Sequence, residues 1–203
     1  KVTIILGHTK QNIYLRCMNN LSTPHTLRAW WLAARPKTLS GALVSVVTAT
    51  ALAFTCDTPH AAAPWLAALC IVFAGLMQIA SNFINDLIDF RRGRDGEDRL
   101  GPERACAQGW ITARAMQWGI GVTLLLAALV GLGILAVFLT VSQHSFLSLT
   151  LGLGLVGLSC GAGAFLYTTH LSRLALGDVM VLIFFGLVPV GGTYFLLTDH
   201  LTV

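Results

Sequence analysis

Charged residues are scarce in this chain. They make up 11% of its 203 residues, whereas a soluble domain usually carries about 25%. A disordered chain is excluded, because disorder requires abundant charge and low hydrophobicity, and hydrophobic residues here make up 55%. A soluble globule is disfavoured, because several apolar runs are long enough to cross a bilayer. The composition therefore predicts a multi-pass membrane protein.

Basic residues are absent from three long stretches, 38–90, 115–172 and 174–203. A surface that binds nucleic acid needs a continuous distribution of positive charge, so we expect no nucleic-acid partner despite the net charge of +4. CxxC pairs and metal-ligand spacings are also missing among the five cysteines. We therefore interpret the cysteines as small apolar side chains.

Apolar runs predict five membrane spans, at about 20 residues per crossing. All 13 lysines and arginines fall on one side of these spans, which the positive-inside rule identifies as the cytoplasm. The sequence thus predicts an all-α transmembrane helix bundle in a lipid bilayer, with the N-terminus and both basic loops cytoplasmic. The predicted spans are 39–55, 64–90, 115–140, 146–169 and 176–198.

The chain divides into three predicted parts. Residues 1–17 precede a more natural start at Met18, and we interpret them as an upstream or non-native extension. Residues 18–38 form a cytoplasmic N-terminal segment. The transmembrane domain then covers 39–198, and we expect it to be the N-terminal part of a longer protein.

Four polar residues share one face at the end of the second span. At about 100° per residue, Asn82, Asn85, Asp86 and Asp89 lie within an arc of about 100°, and Gln78 joins them. A carboxylate at membrane depth costs about 2.5–3.5 kcal/mol on insertion scales and by default indicates function. An anchor at the membrane surface would need no aligned amides, so we favour a functional site.

The oxygen-rich chemistry of this face favours a magnesium site. Carboxylate and amide oxygens are hard ligands that suit Mg²⁺ better than zinc. Asn82, Asp86 and Asp89 are the predicted ligands, and the adjoining Arg91 and Arg92 are candidates for binding substrate phosphates. Two alternatives stay open. In one, the carboxylates merely pair with the adjoining arginines; in the other, they relay protons or cations in a transporter.

The polar motif resembles the first aspartate-rich motif of the UbiA superfamily of intramembrane prenyltransferases. The resemblance extends over about residues 27–197. Further stretches are similar to the 1,4-dihydroxy-2-naphthoate branch of menaquinone synthesis rather than the 4-hydroxybenzoate branch, which remains an alternative. These stretches are Arg35-Pro-Lys-Thr-Leu39, Asp98-Arg-Leu-Gly-Pro-Glu-Arg104, Leu176-Gly-Asp-Val179, Phe184-Phe-Gly186 and Gly192-Thr-Tyr-Phe195.

This resemblance implies a nine-helix bundle, of which about five helices are present, in the cell inner (plasma) membrane. It implies Mg²⁺-dependent transfer of a polyprenyl group from polyprenyl diphosphate to 1,4-dihydroxy-2-naphthoate, giving demethylmenaquinone. A second aspartate-rich motif would follow the sixth helix, so the 203-residue chain alone is expected to be inactive.

The resemblance also implies roles for individual residues. Asp86 and Asp89 would be catalytic, and together with Asn82 they would hold the metal. Tyr167 and Arg173 have a topological alternative, as an interfacial aromatic and a charge anchor. The implied substrate-binding residues are Asn85, Arg91, Arg92, Tyr167, Arg173 and Asp178.

Overall fold

The computed structural model describes residues 26–93, 104–169, 179 and 182–201 of the chain. Over these residues the secondary structure is helical, without strands, which confirms the predicted all-α bundle. A π-helical segment, Leu182–Leu187, leads into the last helix. The helices are α1 (Thr26–Ala34), α2 (Pro36–Cys56), α3 (Ala63–Arg91), α4 (Ala113–Leu139), α5 (Phe146–Thr169) and α6 (Val188–Thr198).

Three helices in the described part of the chain are long and apolar enough to cross a membrane. They are α2, α3 and α4, with mean hydropathies of 1.6, 1.9 and 2.8. The described apolar segments Phe146–Ser159 and Leu182–Thr198 are shorter. Large apolar side chains such as Leu125, Leu129 and Leu158 are exposed on the outside, as expected where the solvent is lipid. The chain is therefore a membrane protein.

A break at Arg35 separates the short helix α1 from α2. The sequence does not predict α1. Arg35 has a φ of +52°, in the left-handed region, and Pro36 follows it as the first residue of α2. Proline suits this position because the first helical N–H groups have no partner within the helix, but it disfavours helical backbone in the residue before it. The chain therefore turns at Arg35, and α1 packs separately.

The long helix α3 lies at the centre of the described bundle and joins two buried clusters. Near its N-terminal half, Leu66 packs with Val46 of α2 and Phe138 of α4. Near its C-terminal end, Phe83 and Leu87 belong to a second cluster with α1, the start of α4 and the loop before α4. The polar face of α3 is therefore covered by α1 and by this loop.

Helix α1 is seated on α4 through a glycine. The indole of Trp30 packs edge-on against Phe83, with ring centroids 5.3 Å apart. A Cβ added at Gly119 would lie 2.5 Å from the same indole, whereas one added at Gly121 would meet nothing within 4 Å. Gly119 therefore permits the close approach of α1 to α4.

We expect Gly119→Ala to lower stability and Gly121→Ala to leave it unchanged or raise it. Alanine favours a helix by about 0.5–1 kcal/mol over glycine at both positions. At Gly119 this gain is outweighed by overpacking, which typically costs about 1–3 kcal/mol. The measurement is the thermal unfolding midpoint in detergent, followed by tryptophan fluorescence. Equal shifts for the two variants would contradict the packing of Trp30 on Gly119.

The opposite end of the bundle is tied by two aspartates in the loops. Asp57 accepts a hydrogen bond from the Tyr194 hydroxyl at 2.6 Å and contacts His200 Nε2 at 2.9 Å. Asp199 accepts hydrogen bonds from the Ser142 hydroxyl at 2.5 Å and the Gln143 N–H at 2.9 Å. The Tyr194 hydrogen bond is the main cause that lowers the pKa of Asp57 below its ordinary value of 3.8. These contacts join the end of α6 to the loops α2–α3 and α4–α5.

This network predicts a loss of stability in acid. A carboxyl group whose folded pKa is depressed contributes stability above its unfolded pKa and loses that contribution as the pH falls through the folded value. The thermal unfolding midpoint of the wild type should therefore decrease as the pH is lowered below about 4. In Tyr194→Phe the fall between pH 6 and pH 3 should be smaller, since the main cause of the Asp57 shift is gone. Identical pH profiles of the two proteins would contradict the assignment.

Candidate functional site at the C-terminal end of α3

The polar face predicted on α3 points into the protein. The exposed fractions of Gln78, Asn82 and Asp86 are 8%, 3% and 1%. Asp89, one turn further on, exposes 19% of its side chain, and Asn85 is half-buried. Because a buried polar group is costly unless it is hydrogen-bonded, the partners of these side chains define what the face does.

Asn82 joins α3 to the junction between α1 and α2. Its Nδ2 donates to the Ala34 carbonyl at 2.8 Å and to the Thr38 hydroxyl at 2.9 Å. Its Oδ1 accepts from Gln78 Nε2 at 3.3 Å. The carbonyl of Ala34 is at the end of α1, where carbonyl groups have no partner within the helix. Asn82 therefore stabilises the helix break at Arg35.

Asp86 accepts hydrogen bonds from the backbone of the loop before α4. Its Oδ2 accepts the Ala105 N–H at 2.9 Å, and its Oδ1 accepts the Cys106 N–H at 3.1 Å. Both oxygens of this carboxylate are thus hydrogen-bonded, in a place where the whole residue is only 1% exposed. Hydrogen bonds to an ionised group are stronger than neutral ones, so the loop is held firmly to α3.

The segment 104–111, called here the 104–111 turn, is compact. The Ala105 carbonyl accepts the N–H groups of Trp110 and Ile111 at 2.9 and 3.2 Å, and the Gln108 N–H donates to the Arg104 carbonyl at 3.0 Å. The chain reverses at Gly109, whose φ of +70° favours glycine. Ala105, Cys106 and Ile111 are buried against α1, α3 and α4.

Asp89 forms an ion pair with Arg104, the first residue of this turn. The Arg104 side chain is 7% exposed. Taking one partner from a buried pair leaves a charge without its counter-charge and is strongly destabilising. The sequence pattern indicates the arginines that adjoin the motif as partners and does not indicate Arg104, which is 15 residues beyond Asp89. Its one sequence signal is its place at the end of the 98–104 stretch.

These contacts decide whether the predicted magnesium ligands form a site. Asn82 is bound to Ala34 and Thr38, Asp86 to two backbone amides, and Asp89 to Arg104. Over the described residues, no group of three His, Cys, Asp or Glu side chains could hold a metal. In this arrangement groups of the protein engage all three side chains, and the assignment of Asn82, Asp86 and Asp89 as Mg²⁺ ligands stays a prediction.

The other predicted site residues have different surroundings. Arg91 is exposed and Arg92 is half-buried, at the C-terminal end of α3, where positive charge interacts favourably with the helix dipole. Tyr167 belongs to α5, but its side chain lies outside what the structure describes. Arg173 and Asp178 lie outside the described residues. The structure therefore places Arg91 and Arg92 beyond the polar face, next to Asp89.

An open apolar groove of about 520 Å³ runs beside the polar face. Phe83 is shared between the groove and the cluster that covers the face. The groove has almost no polar lining, so it suits a hydrocarbon chain. Its lining residues are Trp30, Phe83, Ala115, Trp118, Gly119, Val122 and Thr123.

An apolar helix bundle with a buried carboxylate and amide face at one end defines a multi-pass membrane protein with an internal polar site. The chain belongs to the UbiA prenyltransferase family, whose family model matches residues 42–203. This match confirms the resemblance that the motif on α3 predicted. No solved structure matches the chain.

Curated relatives indicate which branch of the family this chain is similar to. The chain is 37% identical over 178 residues to a Haemophilus influenzae protein, covering 86% of this chain and 56% of that protein. It is 37% identical to an Escherichia coli protein, covering 83% and 53%, and 36% identical to one from Mycobacterium tuberculosis, covering 82% and 53%. Each is named 1,4-dihydroxy-2-naphthoate octaprenyltransferase. The chain spans about half the length of these relatives.

Proposed function

We propose that the full-length protein transfers a polyprenyl group from polyprenyl diphosphate to 1,4-dihydroxy-2-naphthoate, in menaquinone biosynthesis. The observation that carries this proposal is the similarity to relatives of that name over more than four-fifths of this chain. In the reaction the carbon–oxygen bond to diphosphate breaks and a carbon–carbon bond to the naphthalene ring forms. The ring carboxylate leaves as CO₂, so the direct product is the reduced, quinol form of demethylmenaquinone.

The described residues suggest how the chain would receive a prenyl diphosphate. The diphosphate would approach the C-terminal end of α3, where Arg91 is exposed and Arg92 is half-buried. Guanidinium groups match the geometry of phosphate oxygens. The prenyl chain would lie against apolar surface such as the groove beside Phe83, away from water that would quench an allylic cation.

The remaining predicted residues take substrate roles within this proposal. Asn85 lies on the same helix as the arginines and would contact the donor. Tyr167, Arg173 and Asp178 would contact donor or acceptor, as the family resemblance implies. We propose an inner-membrane location with this end of the bundle cytoplasmic, supported by the one-sided distribution of all 13 lysines and arginines.

UbiA prenyltransferases are generally dependent on a divalent metal. Within the proposal the ion is Mg²⁺, which suits carboxylate ligands and substrate phosphates. In the described arrangement Asp86 and Asp89 bond to groups of the protein. Which residues bind the ion is therefore a separate question from whether the reaction needs it.

The test is a transfer assay with the full-length protein in membranes that lack the native enzyme. One polyprenyl diphosphate is offered with 1,4-dihydroxy-2-naphthoate or with 4-hydroxybenzoate, and prenylated products are measured by mass spectrometry. We expect product from the naphthoate only. Product from 4-hydroxybenzoate alone would move the protein to the other branch of the family. Absence of both products from correctly inserted protein would contradict prenyl transfer.

A further inference from the structure

The hydrogen bonds of Asp86 are those of a residue that caps a turn. The 104–111 turn begins with a run of backbone N–H groups, and a buried backbone N–H is costly unless it is hydrogen-bonded. Asp86 supplies a carboxylate to two of them, from Ala105 and Cys106. A carboxylate suits this position, because hydrogen bonds from N–H groups to a charged acceptor are stronger than those to a neutral one.

This cap also fixes the position of Arg104. Arg104 directly precedes Ala105, whose N–H is held at 2.9 Å from Asp86. Asp86 and Asp89 are three residues apart and therefore lie on one face of α3. A turn held at Asp86 thus places the Arg104 guanidinium against Asp89, where the ion pair is observed.

We propose that Asp86 is a positioning residue rather than a metal ligand: its carboxylate holds the 104–111 turn on α3 and thereby sets Arg104 against Asp89. The meaning of this role for catalysis rests on the proposed function. The role itself is a property of the protein without metal or substrate. A turn organised by a metal would open when the metal is removed, whereas a turn capped by Asp86 stays closed.

Cys106 reports directly on the state of the turn. Its N–H is one of the two bonded to Asp86, and the residue is 3% exposed. The experiment uses full-length protein in membranes, with Cys106 as the sole cysteine, and measures its labelling rate by N-ethylmaleimide in EDTA and in Mg²⁺. A second version keeps only Cys70, which is buried in the other cluster, and reports on unfolding of the bundle.

We expect Cys106 to be equally protected in EDTA and in Mg²⁺. Asp86→Ala should raise its labelling rate by about 10- to 100-fold, since two hydrogen bonds to a charged group are lost. Asp86→Asn, which keeps one acceptor oxygen, should have a smaller effect, and Cys70 should stay protected in both variants. Exposure of Cys106 in the wild type on adding EDTA would overturn the proposal. So would a protected Cys106 in Asp86→Ala.

A kinetic measurement separates positioning from a purely structural role. We expect Asp86→Asn and Arg104→Gln each to lower kcat/KM for prenyl diphosphate at least tenfold, and the double variant to be no worse than the poorer single variant, because the two residues act through one contact. The Mg²⁺ concentration for half-maximal activity should change less than about threefold in Asp86→Asn, whereas loss of a ligand should raise it at least as much as the roughly tenfold or more that losing a group supporting a ligand costs. The proposal would be overturned if the rate losses of Asp86→Asn and Arg104→Gln multiplied in the double variant. It would also be overturned if Asp86→Asn needed about tenfold more Mg²⁺. If no variant and no wild type transfers prenyl groups, the labelling result still decides the role of Asp86, and the proposed function alone fails.

Discussion

Replacing Asp89 with asparagine in the full-length protein should cut prenyl transfer by at least about 100-fold and destabilise the protein at the same time. Arg104, 7% exposed, would lose its carboxylate partner. Removing one member of a buried pair typically costs about 3–5 kcal/mol, and the lower end applies because Asp89 keeps 19% of its side chain exposed. The unfolding midpoint in detergent and the initial rate of naphthoate prenylation measure the two effects.

A second substitution distinguishes the structural part of this loss from the chemical part. In the double variant Asp89→Asn/Arg104→Gln no charge is left in the contact, so most of the stability should return, as when a buried ion pair is replaced by neutral groups. Activity should stay low, because the proposed reaction needs charge at the site. Arg91→Gln is the control for losing an arginine at the surface, and its stability should change by no more than about 0.5 kcal/mol. Recovery of activity in the double variant would show that Asp89 acts only through folding.

The sequence was a good guide to the helices that are apolar along their whole length. The predicted spans at 64–90 and 115–140 coincide with α3 and α4 to within two residues, because long apolar runs in a membrane protein have few other conformations available. The sequence did not predict helix α1, because a nine-residue helix has too few turns for its apolar periodicity to stand out. Its alanines, Ala29 and Ala33, are buried only because α3 and the 104–111 turn cover them.

The sequence also predicted the shared face on α3, because a helix fixes the spacing of residues on one face. It did not predict the partners of that face. Asp86 bonds to the N–H groups of residues 19 and 20 positions later, and a backbone N–H belongs to almost every residue, so no side-chain pattern identifies those donors. The interpretation of Asp86 as a ligand came from its chemistry, which equally suits the capping of a turn.

The largest effect should come from chain length: expressed by itself, the 203-residue chain should insert into membranes and transfer no prenyl groups. It spans about half the length of its curated relatives, and the family resemblance implies a second aspartate-rich motif beyond it. Charge on the departing diphosphate would lack the groups of that motif, and losing even one stabilising contact can cost about 10²–10³ in rate. An incomplete bundle would also admit water, which would react with an allylic cation before the naphthoate ring could.

The decisive comparison is between this chain and the full-length protein in the same membranes, at matched amounts of inserted protein. Labelling of a sole Cys106 supplies the control for folding, because the 104–111 turn, α1 and the end of α3 all lie within the chain. We expect Cys106 to be protected in both proteins and naphthoate prenylation to occur in the longer one only. Since the polar face would then be intact and yet inactive, the site on α3 would be one side of a shared site. Similar activity from both proteins would instead locate the whole reaction within these 203 residues and would contradict the need for a second motif.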